Sequence, residues 1–246
     1  MGKKNLRFIA ILIIGTVLVT ACGVRILQGS IQGSGNKITE SRDVSGFDSV
    51  SHIGIGRVII TQGDDESLII EADDNLMKYI TSEVHDGTLE LGFTDNLRVD
   101  PIPSIVFRVN VNDLKALESV GVGAFEIEKL NTDQLELSTS GTGDITIGEL
   151  TVTDLVVVAD GTGSIKLAGT AETQEIKLVG AGDYEAPDLE SQTAAVDVTG
   201  TGSVEIWVLD SLDVVITGVG GASYFGSPNV TQNITGNGSL TSLGDK

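Results

Sequence analysis

The sequence holds one cysteine, Cys22, four prolines and two histidines, and its aromatic residues amount to only 4%. A lone cysteine cannot form an internal disulfide and excludes a metal site built on several thiolates. His52 and His85, well separated along the chain, cannot make a histidine-rich metal site either. Basic side chains are also scarce: 15 Lys and Arg stand against 35 Asp and Glu, a formal charge of −20. Residues 1–21 contain Lys3, Lys4 and Arg7 and no acid, which leaves 12 basic against 35 acidic residues from Cys22 onward, a net of −23. Such a surface repels phosphate backbones, so nucleic acid is excluded as a partner; divalent cations and basic partners are attracted. What the sequence has in excess is glycine, 31 residues, set among many Val, Ile, Leu and Thr. That balance points to β-structure with frequent turns.

The first 22 residues read as a leader. Met1–Arg7 is short and basic, Phe8–Val19 is almost wholly apolar, and Val19-Thr-Ala-Cys22 ends the stretch with small residues before a cysteine. A basic start, a brief apolar run and a small-residue cleavage site make a secretory signal. The apolar run is shorter than the roughly 20 residues that span a bilayer. The closing tetrapeptide resembles the bacterial lipobox, which implies cleavage before Cys22 and attachment of lipid to its thiol. Two or three acyl chains on one residue anchor a protein firmly where a single chain does not. Gly23 follows, with no acidic retention residue, which favours the outer membrane in an organism that has one. Accordingly, residues 1–21 are assigned to a signal peptide, 22–39 to a lipid-anchored flexible tether and 40–246 to the folded domain.

From about residue 115 the chain repeats. Gly-x-Gly turns begin at Gly121, Gly141, Gly161, Gly180, Gly200, Gly218 and Gly236, spaced by 20, 20, 19, 20, 18 and 18 residues. A fixed period near 20 is a solenoid signal. Aligned on the first glycine, side chains fall into columns. Leu117, Leu137, Val157, Ile176, Val196 and Val214 stand four residues before it, with Gln232 ending the series. Phe125, Ile145, Ile165, Tyr184, Val204, Ala222 and Leu240 stand four after it. Alternation within each rung has period 2, the mark of a strand with one buried face. The glycines fit corners, where the backbone turns through positive φ or approaches its neighbour closely. A dinucleotide site is excluded, since the third glycine, the following helix and the downstream acid are missing. Gly141-Thr-Gly-Asp144 matches part of a calcium-binding nonapeptide, but the period is twice too long, and Ser164 and Ser203 replace the aspartate in other rungs. The reading is an all-β, right-handed, single-stranded parallel β-helix with ~20-residue rungs, the hand following from the general preference of crossover connections.

Upstream the pattern is looser. Gly54-Ile-Gly56 repeats the rung signature 67 residues before Gly121, a little over three rungs. Residues 44–120 are therefore read as opening coils with insertions, the first serving as a cap. Leu68–Glu71 and Ile105–Val111 read as strands, and Asp74–Ile80 as a short helix or turn capped by Asp73 or Asp74. Glu83–Phe93 reads as a hairpin turning at His85-Asp-Gly87. Pro101 and Pro103 mark a loop, and the shortened last rungs predict a frayed or differently capped C-terminal coil.

The run Val44-Ser-Gly-Phe47, Gly54-Ile-Gly56, Glu71-Ala-Asp-Asp-Asn-Leu76, Asp86-Gly-Thr-Leu89 and the repeated Ser140-Gly-Thr-Gly143 resembles the putative auto-transporter adhesin, head GIN domain family, over about residues 40–240. The resemblance implies a single-domain parallel β-helix on a lipid-anchored or secreted envelope protein. It supplies no catalytic motif.

The residues themselves point to no catalytic group, metal ligand or cofactor. His52 falls in an inward column beside Ser119, Thr139 and Ala159 and is expected as a hydrogen-bonded interior histidine; His85 is expected at an exposed turn. Acids gather at Asp64-Asp-Glu66 and Asp73-Asp74, the places where Ca²⁺ would bind, and basic residues (Arg98, Arg108, Lys129, Lys166, Lys177) are scattered. The leading reading is a non-catalytic envelope lipoprotein, held to the membrane by its lipid and binding a surface glycan or other ligand. Two alternatives stand beside it: a structural or sensing component that meets an envelope protein, and a polysaccharide lyase or hydrolase. Carboxylates beside a basic residue in a groove would favour the enzyme, and a smooth Thr-lined face would favour binding.

Overall fold

The computed structural model describes residues 30–94 and 104–246. The signal peptide, Cys22 and most of the tether lie outside the described residues, as do Arg98, Pro101 and Pro103. Residues 31–246 form one compact unit, nearly all strand.

Five long strands make the regular coils: β7 (Ala116–Thr139), β8 (Asp144–Ala159), β9 (Ser164–Leu178), β10 (Asp183–Val198) and β11 (Ser203–Ile216), with other elements named below. Each pairs in parallel with the next, and the solenoid makes about six turns of ~20 residues. The sequence columns are the stacked columns. Phe125, Ile145, Ile165, Tyr184 and Val204 are register partners in turn, and all are buried. Stacking like on like buries apolar area continuously along the axis, so no single coil need enclose a core alone.

The Gly-x-Gly corners are glycine for lack of room. A β-carbon on Gly163 would lie 1.9 Å from the carbonyl oxygen of Gly143, one coil below. Thr142 and Thr162, between the glycines, instead donate backbone hydrogen bonds to the Gly121 and Gly141 carbonyls.

The N-terminal part departs from the three-coil expectation. β2 (Ser49–Gln62) stacks directly on β7 from Ser49–Ala116 to Ile60–Ile127, with Gly54 on Gly121. The residues between them do not form intervening coils. They leave β2 on its other side as β3 (Ser67–Asp73), α1 (Asp74–Met77), β4 (Ile80–His85), β5 (Thr88–Phe93) and β6 (Val106–Val111). β5 and β6 pair with β2 in parallel, while β4 on β5 and β3 on β6 run antiparallel. The cap is thus this antiparallel excursion and not the first rung. It covers an edge that a parallel coil would leave open.

The expected hairpin turns at Asp86-Gly87, both at positive φ (49° and 81°) as a two-residue turn of this hand requires. Asp73 occupies the N-cap of α1 without a side-chain cap bond, and Asp74 is engaged elsewhere, so neither caps the helix as expected. The fold also begins before residue 40. β1 (Lys37–Arg42) pairs antiparallel with β3, and Ser34 and Asn36 hold the Asp74 carboxylate at 2.6 and 2.9 Å. At the other end β12 (Gly221–Phe225), β13 (Asn229–Ile234) and β14 (Ser239–Gly244) form a thin last coil. β13 is almost wholly exposed, in keeping with the predicted change at this end.

Candidate functional site

Each coil turns a second corner away from the Gly-x-Gly edge. There the register aligns Asn131, Thr151, Thr170 and Glu190 in one outward ladder, and Gln134, Asp154, Thr173 and Thr193 in another. Between the ladders Thr132, Val152, Ala171 and Ser191 turn inward and are buried. These small side chains suit a tight bend. Irregular register at Ile147/Leu150 and Glu185/Asp188 re-aims the wall on neighbouring coils. The product is an open cleft of about 570 Å³ running across four coils, floored by threonines.

Threonine suits such a wall twice over. Its β-branch favours the strand, and its hydroxyl and methyl offer a donor, an acceptor and an apolar contact at each coil spacing of about 4.8 Å. Two hydroxyls are already oriented: Thr132 donates to Asp113 Oδ1 at 2.9 Å and Thr173 to Asp154 Oδ1 at 2.8 Å. Asp133, Glu172 and Glu190 add carboxylates, and no Lys or Arg lines the cleft. Chemically the surface can exchange hydrogen bonds with a polyhydroxylated or amide-rich ligand. It offers no counter-charge to a polyanion.

The other residues singled out from the sequence are not brought to this cleft. His52 is buried and meets Phe107 and Phe125 edge-on, with ring centroids 5.4 and 6.2 Å away. Burial lowers its pKa to about 4, partly opposed by a backbone hydrogen bond at Ile55. It is interior as expected but only partly hydrogen-bonded, since its Nε2 has no partner. Ser119 Oγ, in the same column one coil on, is likewise unpartnered. His85 is exposed; Glu83 Oε2, 2.9 Å from its Nε2, raises its pKa.

The acids have structural partners. Glu66 accepts from the Gly46 N–H, and hydrogen bonds from Ser34 and then Asn36 hold the Asp74 carboxyl below its usual range. Asp144 Oδ1 accepts from both Ser164 N and Oγ (2.8 and 3.2 Å), and Asp183 does the same for Ser203 (2.9 and 2.6 Å). The Asp–Ser alternation at the corners is therefore a brace between successive coils. Among the described residues no three His, Cys, Asp or Glu side chains converge as a metal-holding group. Lys129 and Lys166 are each paired with a carboxylate one coil on, Glu149 at 2.6 Å and Glu185 at 3.1 Å.

One cluster escaped sequence reading. Trp207 and Phe225 are register partners on adjacent coils, and Lys246 returns along the side of the solenoid to lie over both rings. Both aromatics sit seven residues after a corner glycine, which was a visible signal; the arrival of Lys246 was not.

The family described as putative auto-transporter adhesin, head GIN domain matches residues 46–228. No curated protein matches the chain. Among solved structures, a putative adhesin from Bacteroides fragilis is 26% identical with a TM-score of 0.79, covering 87% of this chain and 100% of its own. A putative lipid binding protein from Parabacteroides distasonis is 24% identical, TM-score 0.68, over 87% of this chain and 100% of its own. A putative adhesin from Parabacteroides merdae is 22% identical, TM-score 0.68, over 87% and 99%. At these identities the last two show a shared fold.

Proposed function

The chain belongs to the putative auto-transporter adhesin, head GIN domain family, and we propose that it is a lipid-anchored, non-catalytic module of the cell envelope that binds a surface ligand in the threonine-lined cleft. The observation that carries this reading is the cleft itself. It crosses four coils, is walled by hydroxyl, amide and carboxylate groups, and has no basic side chain. An enzyme acting on acidic polysaccharide would need a cation there to meet its substrate and an acid or base set beside it. Neutral glycan chains, rich in hydroxyls, match the wall better.

Anchoring rests on the lipobox-like Val19-Thr-Ala-Cys22 and the apolar run before it. With lipid on Cys22 the domain stands outside the membrane, on the outer membrane in an organism that has one. The lipid binding named for one relative is supported less well here. The inward columns of the coils are filled by their own side chains, including Phe107, Phe125 and Tyr184, so an acyl chain would have to lie on the outside.

The test is binding of residues 23–246 to an array of neutral and acidic glycans and to whole cells, with and without Ca²⁺. Retention on neutral glycans that are recovered intact supports the reading. Release of shortened products would replace it with an enzyme, and binding to cells through protein alone would favour an envelope partner.

A further inference from the structure

The Lys246 ammonium is held from four sides. It lies 5.3 Å from the Trp207 ring centroid and 5.2 Å from that of Phe225. It donates to the Pro187 carbonyl at 2.6 Å and to the Asp188 carboxylate. Both rings stand on the outer face, since Ile206 and Val208 on either side of Trp207 are buried. Pro187 and Asp188 reach them because β10 is irregular in register here, pairing Ala186 with Ile206 and next Glu190 with Trp207. Such a bulge re-aims side chains. Among the described ion-paired lysines Lys246 has the least exposed side chain, 30% against 42–66%. Its ammonium is seated, while the others lie along the surface.

Two aromatic faces, a carboxylate and a carbonyl form an ammonium receptor in chemical terms. The rings attract the cation through their quadrupoles, and the oxygens take its N–H groups. A quaternary ammonium has no N–H to give, so the two oxygens select a primary amine. Beside the seat opens a cleft of about 260 Å³ lined by Pro187, Asp188, Thr146, Lys166 and Glu185. It gives room for the segment that carries the amine. The chain's formal charge of −20 draws basic segments toward it.

We propose that the Trp207–Phe225–Asp188 corner is a binding site for a lysine side chain of a basic partner protein, and that Lys246 occupies it in cis until the partner's lysine displaces it. The site is separate from the threonine cleft, and either can fail without the other. A tethered lysine competes at an effective concentration of order millimolar, so its removal unmasks the site.

Trp207 is the only tryptophan in the sequence, so indole emission reports from this site directly. The experiment titrates residues 23–246, wild type and Lys246→Ala, with Nα-acetyl-lysine methylamide, with its norleucine counterpart and with phosphatidylethanolamine vesicles. The proposal predicts a saturable emission change in Lys246→Ala with the lysine compound alone. The apparent Kd should be about tenfold lower than in the wild type. Adding Asp188→Asn to Lys246→Ala should abolish the change while circular dichroism stays unaltered. No saturable response in Lys246→Ala, an equal response to norleucine, or a response to the vesicles only would overturn it.

Discussion

Gly121 lies on Gly54 so closely that a β-carbon on Gly121 would stand 2.4 Å from the Gly54 carbonyl oxygen, and their coils are joined in sequence by a 67-residue excursion. The same contact recurs at each Gly-x-Gly corner above it. Coil spacing along this edge is fixed by backbone meeting backbone, with no side chain to yield.

Gly163→Ala should therefore cost about 3 kcal/mol, because the new methyl must push one coil from the next. Gly63→Ala is the control. Only the Asn110 amide, 3.9 Å away, meets its added carbon, and its cost should stay within about 0.5 kcal/mol. Urea unfolding followed by circular dichroism compares the two.

His52 makes stability depend on pH. Its pKa is near 4 in the folded chain against 6.5 unfolded. Between those values the unfolded state binds the proton and the folded state does not. This contribution is thus intact above pH 6.5 and lost as pH falls toward 4, about 3 kcal/mol in all. His52→Leu, which puts an apolar side chain beside Phe107 and Phe125 and removes the unpartnered Nε2, should flatten that segment of the profile. It should also raise stability at pH 5. Urea midpoints at pH 7.5, 6 and 5 read both effects.

Tyr184 donates to Gln174 Oε1 at 2.6 Å inside the coils, where both side chains are buried. Tyr184→Phe leaves that oxygen without a partner and should cost about 1–3 kcal/mol. Tyr184→Phe combined with Gln174→Leu should recover most of the loss, since the neighbouring rungs hold Leu155 and Ala194 at that position. A double-mutant cycle measures the coupling.

Cys22→Ser should abolish labelling of the chain by radioactive palmitate and shift it from the membrane to the released fraction. Persistent membrane association of the unlabelled variant would contradict the anchor.

The regular coils were legible because each inward column repeats its chemistry at one period. Leu117, Leu137 and Val157 announce their own stacking. The N-terminal cap was not, although every strand in it was visible. Separation along the chain suggested three coils between Gly54 and Gly121, but β2 meets β7 directly, and no local pattern records which strands pair across an excursion. The Asp144–Ser164 and Asp183–Ser203 braces could be read only as an alternation until the coils were stacked. The threonines of the cleft were visible as strand surface. Their concavity comes from bulged corners, which sequence periodicity averages away.

The most direct test of the binding reading places the same bulky change at two corners of the solenoid. Thr170→Arg sits in the cleft and Thr162→Arg in an exposed Gly-x-Gly turn. Affinity for a glycan retained by the wild type is then measured by calorimetry. The cleft variant should bind about tenfold or more weakly, a loss of at least about 1.4 kcal/mol, with the turn variant within about twofold of wild type. Equal affinity in both variants, or a loss confined to Thr162→Arg, would contradict the assignment of the cleft.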